Sequence, residues 1–315
     1  MNQLRAYLFK ILEKIASFFG LLGVNKRTPG ALAVYGFFYK LFWPYGKIIE
    51  IQGSKMYVDV AKEDTAMRRT LEAYSINKVH EKNTTDLFKN IIKNGDVVVD
   101  LGANIGYFTL LSARLVEPKG RIFSFEPEPK NYNYLKKNIE LNNYNHAQPF
   151  QKAVSDKNGT TKLFICDYDT GHHTINKQDG IQAYSRGRIV KERSIDIETV
   201  ALDNFLKERT NRVDVIKMDV EGAEMLALSG MDRVLKDNKD IKMIVEFFPL
   251  LIEKMGSDPK EFIRRLIQDY GFSIYIIPED YAALTSDMKK LNSIQDVMSY
   301  RKNEEDHINL FLQRE

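Results

Sequence analysis

One stretch, residues 97–106, constrains this chain more than any other. Its sequence, VVVDLGANIG, starts with apolar residues around one acid, Asp100, and continues into a turn that contains Gly102 and Gly106. An apolar run bounded by turn residues is typical of a buried parallel strand, and the apolar pattern that follows predicts a helix. Glycines in such a turn let the backbone approach a ligand without a Cβ in the way. The stretch therefore predicts the strand, turn and helix of a nucleotide-binding α/β sheet.

A second acid strengthens this interpretation. The segment RIFSFE at 121–126 has another apolar strand pattern and ends in Glu126. A carboxylate at the end of the second strand can accept hydrogen bonds from both hydroxyls of a ribose. The glycine spacing is G-x-x-x-G and not the G-x-G-x-x-G of dinucleotide-binding proteins, which disfavours a nicotinamide oxidoreductase. We therefore expect an adenosine cofactor without a diphosphate, and S-adenosylmethionine fits that description.

The remaining sequence predicts one α/β domain with strands and helices in alternation. The chain has 315 residues, of which 43% are hydrophobic, and this is ample for such a domain. Strand patterns occur at 147–154, 161–165, 195–200, 213–218, 241–247, 272–277 and 308–312. Helical patterns occur at about 64–78 and at 84–94, 127–143, 202–207, 223–228 and 259–270. Strands alternating with helices predict a doubly wound, mostly parallel sheet, in which 195–200 is expected at an edge.

The first 46 residues differ from the rest. Apolar residues recur at helical spacing between basic ones, and an aromatic run follows at 31–45. Neither run is long enough for a transmembrane span, and no convincing signal-peptide cleavage site is present. The segment is interpreted either as an interfacial membrane helix or as a helical extension packed on the main domain or on a second subunit. The expected organisation is this extension at 1–46, a hairpin and helices at 47–94, and the main domain at 95–315.

With these patterns placed, the chain resembles the FkbM-type family of S-adenosylmethionine-dependent methyltransferases. The resemblance covers about residues 80–250, and its most specific segment is DVEGAE at 219–224. Other matching segments are VVVDLGANIGYFTL, IFSFEPEPKNYNYLKKNIELNN, KAVSDKNG, VALDNFL and IVEFFP. The family implies the class I, Rossmann-like methyltransferase fold, with seven strands and a reversed last strand. It also implies O-methylation of a sugar, lipid or polyketide hydroxyl, but not which acceptor.

The resemblance assigns the cofactor to residues after the first three strands. Asp100 would reach the methionyl amine, although an acid that caps the turn is the alternative. Glu126 would bind the ribose, although it could instead pair with Lys130 or Lys136. Residues expected to wrap the methionine and ribose are Gly102, Ala103, Asn104 and Gly106. Residues expected at the adenine are Ala153 and Asp156, the latter also explained as a turn residue in SDKNG.

The acids of the DVEGAE segment follow another strand, where ligands bind in open α/β folds. Methyl transfer to a hydroxyl needs a group that removes the proton, and Asp219 or Glu221 could be that base or could orient the acceptor. Lys217 shares a strand face with Asp219 and could orient or neutralise it. Glu224 is expected to be a first-turn acid that stabilises its helix. Glu246 ends the neighbouring strand and could face the same pocket.

Two alternatives to Asp219 or Glu221 as the base remain. His172 and His173 lie in the long polar segment 166–194, which is typical of a lid or binding loop. A histidine is a natural base near neutral pH, and His173 is kept with Asp219 and Glu221 as a catalytic candidate. The three acids Asp219, Glu221 and Glu246 could instead bind Mg²⁺, but no spacing demands a metal and none is predicted.

The sequence therefore predicts an S-adenosylmethionine-dependent O-methyltransferase that acts on a glycan, a lipid-linked glycan or another natural product. The alternative is a non-catalytic, membrane-associated binding module that retains the fold. A net charge of +3 without a basic, aromatic stripe disfavours a nucleic-acid partner. One cysteine, Cys166, allows no internal disulfide and suits a reducing cytoplasm, with peripheral contact at the inner face of the membrane through 1–46. The oligomeric state stays open, with a homo-oligomer among the arrangements considered.

Overall fold

The computed structural model describes residues 47–59, 78–166, 170–175, 193–278, 288–300 and 307–314, with isolated positions at 7–14 and 67–75. Most of the predicted N-terminal extension, most of the helix expected after residue 64 and most of the 166–194 segment lie outside the described residues. In the part of the chain that is described, no helix combines the length and the apolar character needed to cross a membrane.

An eight-stranded sheet forms the centre of the fold. In spatial order its strands are Lys289–Leu291 (β12), Ser273–Ile277 (β11), Ile308–Gln313 (β13), Lys242–Phe247 (β10), Val215–Met218 (β9), Val97–Leu101 (β3), Arg121–Phe125 (β4) and Ala147–Phe150 (β5). Strands β3, β4, β5, β9 and β10 run parallel, whereas β13 is antiparallel to both β10 and β11. The predicted class I arrangement with a reversed last strand is therefore confirmed.

The sheet has one strand more than the seven expected. The additional strand, β12, is only three residues long and pairs antiparallel with β11 at the edge of the sheet. Its sequence, KKL, is too short and too polar to give a period-two pattern. The addition leaves the order of the other seven strands, and with it the position of the site, unchanged.

Helices cover both faces of the sheet because its central strands are apolar on both sides. In β3, Val97 and Val99 belong to the core of one face, and Val98 belongs to the core of the other. This burial on both faces is what a continuous apolar run predicts for a parallel strand. The α-helices are Lys82–Ile91 (α1), Tyr107–Val116 (α2), Pro129–Leu141 (α3), Leu202–Leu206 (α4), Glu224–Ser229 (α5), Asp232–Asp237 (α6), Pro249–Lys254 (α7), Pro259–Arg264 (α8) and Ile294–Ser299 (α9). A π-helical turn, Arg265–Asp269, continues α8 where one longer helix was expected.

A second sheet corrects two of the strand predictions. The pattern at 147–154 is not one strand, because the chain turns after Phe150, where the Lys152 amide donates to the Phe150 carbonyl. Only β5 stays in the main sheet, and Ala153–Val154 (β6) begins a three-stranded sheet with Gly159–Phe164 (β7) and Ser194–Val200 (β8). The last of these, expected at an edge, is the middle strand of the second sheet.

The hairpin before the main domain packs into the same core. Its strands, Ile48–Ile51 (β1) and Ser54–Tyr57 (β2), pair antiparallel as predicted. Ile49 and Met56 belong to the core of the face covered by α1, α2 and α3. The Tyr57 amide donates to Asn138 Oδ1 on α3 at 2.7 Å. The hairpin is thus part of the core on this face of the sheet and is joined to α3.

Two turns meet at the carboxyl end of the central strands. Gly102 follows β3, and a Cβ placed on it would lie 1.7 Å from the carbonyl oxygen of Asp219, which follows β9. Its φ of +79° also falls where side chains are disfavoured. The glycine is therefore required because two backbone turns touch at this point.

We expect Gly102→Ala to lower the free energy of unfolding substantially. The left-handed backbone alone costs about 1–2 kcal/mol for an alanine, and overpacking against Asp219 adds roughly 1–3 kcal/mol. Gly256→Ala is a matched control, because Gly256 has the same φ of +79° but nothing within 4 Å of a Cβ. Urea denaturation of both variants measures the difference. Equal losses would show that the contact between the two turns is unimportant.

Candidate active site

A cavity of about 530 Å³ opens at the carboxyl ends of β3, β4, β9 and β10. Its volume lies in the usual range for a small-molecule site. One side is formed by the turn after β3 and the end of β4, including Asp100, Asn104 and Glu126. The other side carries Asp219 and Glu221. The structure thus brings the predicted cofactor acids and the predicted catalytic acids to one cavity.

The backbone amides of the turn after β3 donate hydrogen bonds to acceptors within the protein. The amides of Gly102 and Ala103 both donate to the Phe125 carbonyl at 3.0 Å, and the Gly106 amide donates to the Ala103 carbonyl. The Asn104 amide donates to Glu126 Oε2 at 2.8 Å, and the Ile105 amide donates to Asn104 Oδ1 at 2.7 Å. All five amides from 102 to 106 therefore have protein acceptors. A pyrophosphate needs such amides as donors, so this turn suits a cofactor without one.

Asp100 offers an acceptor to the cavity. Its side chain is 1% exposed, and Oδ2 accepts a hydrogen bond from Thr109 Oγ1 at 2.6 Å. The other oxygen, Oδ1, is buried and has no hydrogen-bond partner among the described residues. A buried acceptor without a donor is costly, and the ammonium group of a bound methionine moiety would satisfy it. In the protein alone, burial raises the pKa of the Asp100 carboxyl group.

Glu126 is held by backbone donors. Oε2 accepts the Asn104 amide, and Oε1 accepts the Glu128 amide at 2.9 Å. Of the two lysines considered as alternative partners, Lys130 and Lys136, the second has its Nζ 4.0 Å from Glu140 Oε1. Burial raises the pKa of Glu126 to about 8, so near neutral pH the group is largely protonated and offers both a donor and an acceptor. This suits a pair of ribose hydroxyls.

Two of the other predicted cofactor residues lie outside the cavity wall. Asp156 is exposed in the turn before β7, where its Oδ1 accepts from Ser155 Oγ at 3.0 Å, so the adenine prediction for it is not supported. Gly106 starts α2 with a φ of +100°, and a Cβ there would lie 2.8 Å from a Leu135 methyl carbon. Its role is therefore local packing. Ala153 does line the cavity, with Leu163 beside it.

A buried ammonium group organises the opposite side. Lys217 Nζ lies 2.8 Å from Asp219 Oδ2, and its side chain is 6% exposed. Burial alone would lower the pKa of Lys217, but the carboxylates of Asp219, Asp100 and Glu81 outweigh that effect and raise it. Lys217 therefore stays charged. It holds Asp219 in place, as the strand spacing predicts.

Asp219 and Glu246 share a hydrogen bond. Burial alone would raise the pKa of Asp219, but Lys217 and the hydrogen bond from Glu246 lower it below its usual value. Burial and the neighbouring Asp219 and Glu221 raise the pKa of Glu246 well above its usual value. The shared proton thus belongs to Glu246, and Asp219 is ionised.

The three acids lie close enough to share a metal ion. Asp219, Glu221 and Glu246 each offer an oxygen, and these oxygens lie within 4.8 Å of one another. A divalent cation would have to displace the shared proton and sit beside the Lys217 ammonium group. Because Lys217 already supplies a positive charge to Asp219, the cluster does not require a metal to keep that carboxylate ionised.

The described piece of the polar loop, 170–175, spans both sides of the cavity. The Thr170 carbonyl accepts from Asn104 Nδ2 at 3.3 Å, and Thr174 Oγ1 donates to the Glu221 carbonyl at 2.8 Å. His172 and His173 both line the cavity between these anchors. His173 Nδ1 accepts the Cys166 amide at 3.0 Å, so the neutral ring carries its proton on Nε2. That arrangement disfavours His173 as the base and leaves Asp219 as the stronger candidate.

Sequence reasoning missed the wall of the cavity built by segment 78–81 and by residue 307. His80, Glu81 and His307 all line the cavity. Glu81 has a φ of +42°, and it shares this conformation with Asn104 (+49°) and Glu221 (+51°) on the two facing turns. Such backbone strain clusters at functional sites. These residues lie far from any motif in the sequence, so no pattern indicated that they line the cavity.

The comparison with known proteins agrees with this geometry. A family model described as a methyltransferase FkbM domain matches residues 100–274, which is more than half of the chain. The chain belongs to the FkbM methyltransferase family. It is accordingly an S-adenosylmethionine-dependent methyltransferase, and the cradle around Asp100 and Glu126 has the donors and acceptors that this cofactor requires.

Three curated relatives illustrate the range of this family. "Methyltransferase 1" of Beauveria bassiana is 29% identical over 59% of this chain and 75% of its own length. "Methyltransferase sdnD" of Sordaria araneosa is 28% identical over 65% of this chain and 86% of its own. "Hexuronic acid methyltransferase AglP" of Haloferax volcanii is 25% identical over 71% of this chain and 78% of its own.

Glu224 lies in the first turn of α5, as predicted, and makes the fold sensitive to pH. Its Oε1 accepts the Gly222 amide at 3.1 Å, whereas Oε2 is buried and has no hydrogen-bond partner among the described residues. Burial raises the pKa of Glu224 from 4.5 to about 8. Near neutral pH the folded protein therefore holds a proton that the unfolded chain has released.

We expect this proton to make stability fall as pH rises from about 4.5 to 8, by on the order of 1 kcal/mol per pH unit from this group alone. The sign follows because the folded state binds more protons across that window. Glu224→Gln stays neutral and should flatten this part of the profile. Thermal unfolding of both proteins at a series of pH values measures the difference. Parallel profiles would contradict the assignment.

Proposed function

We propose that this FkbM methyltransferase transfers a methyl group to a hydroxyl of a glycan or a lipid-linked glycan. The observation that carries the proposal is the ionised Asp219 beside the Lys217 ammonium, in the same cavity as the cofactor cradle. S-adenosylmethionine supplies the methyl group on a sulfonium sulfur. On the protein side, a hydroxyl acceptor needs a group that orients it and accepts its proton, and in this proposal the Asp219 carboxylate does both.

The negative charge around Asp219 favours a hydroxyl over a carboxylate as the methyl acceptor. Asp219 is ionised, and Glu221 and Glu246 lie beside it. A carboxylate acceptor would be repelled by Asp219 and would not need a base at all. A hydroxyl is neutral and can donate a hydrogen bond to Asp219.

Two further observations favour a sugar. Tyr74 and Tyr107 stack with ring centroids 5.3 Å apart, and both line the cavity. A wall that combines aromatic faces with a few polar groups suits the alternating C–H and O–H groups of a pyranose. In addition, the name of the relative AglP refers to a hexuronic acid, which carries both hydroxyl and carboxyl groups.

The chemistry of the product tests this function. Full-length protein is incubated with isotopically labelled S-adenosylmethionine and a panel of hexose and hexuronic acid glycosides, and the products are analysed by mass spectrometry. The proposal predicts methyl ethers, which survive mild alkali. Alkali-labile methyl esters would place the reaction on a carboxyl group, and no transfer to any glycoside would contradict a sugar acceptor.

Replacement of the proposed ribose ligand should weaken cofactor binding. Glu126→Ala removes two hydrogen bonds between a carboxyl group and the ribose, each worth roughly 0.5–1.5 kcal/mol, so the Kd for S-adenosylmethionine should rise by about 10- to 100-fold. Asp156→Ala is the control, because Asp156 is exposed outside the cavity wall. Calorimetric titration measures both. Unchanged affinity in Glu126→Ala would remove the ribose assignment.

Replacement of the proposed base should affect turnover and not cofactor affinity. Asp219→Asn keeps the shape of the side chain but cannot take up the acceptor proton, so kcat should fall by on the order of 100-fold or more. The Kd for S-adenosylmethionine should stay close to that of the parent protein. The reverse pattern, with weaker cofactor binding and a nearly normal kcat, would make Asp219 a cofactor ligand.

A further inference from the structure

Two side chains connect Asp219 to the surface of the protein. Glu246 lies near the end of β10, and His307 immediately precedes β13, its antiparallel neighbour. The strand register pairs Glu246 with Asn309, so His307 lies near the same edge of the sheet. His307 Nε2 is 3.2 Å from Glu246 Oε1, and the imidazole is 52% exposed. A continuous path thus runs from Asp219 through Glu246 to solvent.

We propose that Glu246 and His307 form a proton relay, which carries the proton of the acceptor from Asp219 to solvent. This inference rests on the proposed function, because it assumes that the acceptor is a hydroxyl and that Asp219 receives its proton. Glu246 and His307 act through Asp219 and are therefore positioning residues in this scheme.

The Glu246 carboxyl group carries the one proton that the relay passes on. Before turnover, Asp219 is ionised and accepts this proton in a hydrogen bond, because burial and acidic neighbours raise the pKa of Glu246. In the relay, the Glu246 carboxyl group reorients so that this proton points to the Nε2 lone pair of His307, which lies 3.2 Å from Glu246 Oε1. The charged and titratable groups around Glu246 are Asp219, Glu221, Glu81, Lys217 and His307.

Methyl transfer and the proton transfers of the relay occur as follows. The acceptor oxygen forms a bond to the methyl carbon as the bond from that carbon to sulfur breaks, and the sulfonium becomes a neutral thioether. The acceptor proton moves to Asp219, the Glu246 proton moves to His307 Nε2, and Glu246 takes over the proton on Asp219. His307 is then an imidazolium and releases its proton to water.

The relay overcomes a weakness of Asp219 as a base. Lys217 stabilises the ionised form of Asp219, so a proton that stayed on this group would be held unfavourably beside an ammonium. Handing the proton to an imidazole at the surface restores the ionised Asp219. A base with a lowered pKa can therefore still complete repeated turnovers.

The turnover of His307→Gln tests the relay. In this variant kcat should fall by on the order of 10- to 100-fold, with the KM for the acceptor and the Kd for S-adenosylmethionine unchanged. Added imidazole should partly restore the activity of His307→Ala.

His146→Gln is the matched control. His146 Nε2 lies 2.8 Å from the Ala113 carbonyl oxygen, and His146 does not line the cavity. Its replacement should leave kcat as in the parent protein. A normal kcat in His307→Gln, an equal loss of kcat in both variants, or a loss in His307→Gln that comes with a raised KM and Kd would overturn the relay.

Infrared spectroscopy tests the position of the proton without turnover. The difference spectrum between the parent protein and Glu246→Gln near neutral pH should contain the C=O band of a protonated carboxyl group. Absence of that band would overturn the relay even in an active enzyme. A folded protein that shows the band but does not transfer a methyl group to a hydroxyl would instead contradict the proposed function, on which the relay depends.

Discussion

The ion pair between Lys217 and Asp219 sets the chemistry of this site. A buried ammonium is costly unless acceptors surround it, and Lys217 is surrounded by Asp219, Asp100 and Glu81. These acids come from three separate parts of the chain: the turn after β9, the end of β3 and the segment before α1. Conversely, without Lys217 the Asp219 carboxylate would lose the ammonium group that lies 2.8 Å from its Oδ2. One lysine thus keeps Asp219 ionised and joins the cofactor side of the cavity to the catalytic side.

The backbone brings the two sides together. The Asp219 amide donates to the Leu101 carbonyl at 3.0 Å, and the Asp219 carbonyl oxygen occupies the space that a Cβ on Gly102 would need, so main-chain atoms join the two turns. Thr170 and Thr174 bind the same two turns from above through Asn104 and the Glu221 carbonyl. Because both turns stand on buried strands of one sheet, the geometry of the site depends on the rigid core and not on a single flexible loop.

The sequence predicted the parts of the site that local patterns encode. The strand, turn and acid of residues 97–106 and 121–126 gave Asp100 and Glu126, because apolar strands and glycines leave a clear signature. Two-residue spacing gave the pairing of Lys217 with Asp219. The break of 147–154 into β5 and β6 was missed, because period-two patterns do not show which sheet a strand joins. His307 and Glu81 were missed because tertiary folding alone brings them to the cavity.

The most direct test of the central claim is calorimetric titration of the full-length protein with S-adenosylmethionine and, separately, with NADH. The cradle offers Asp100 and Glu126 to a cationic adenosine cofactor, and its amides already have protein acceptors. We therefore predict one-site binding of S-adenosylmethionine and no binding of NADH. Binding of NADH, or a well-folded protein that binds neither, would contradict the account.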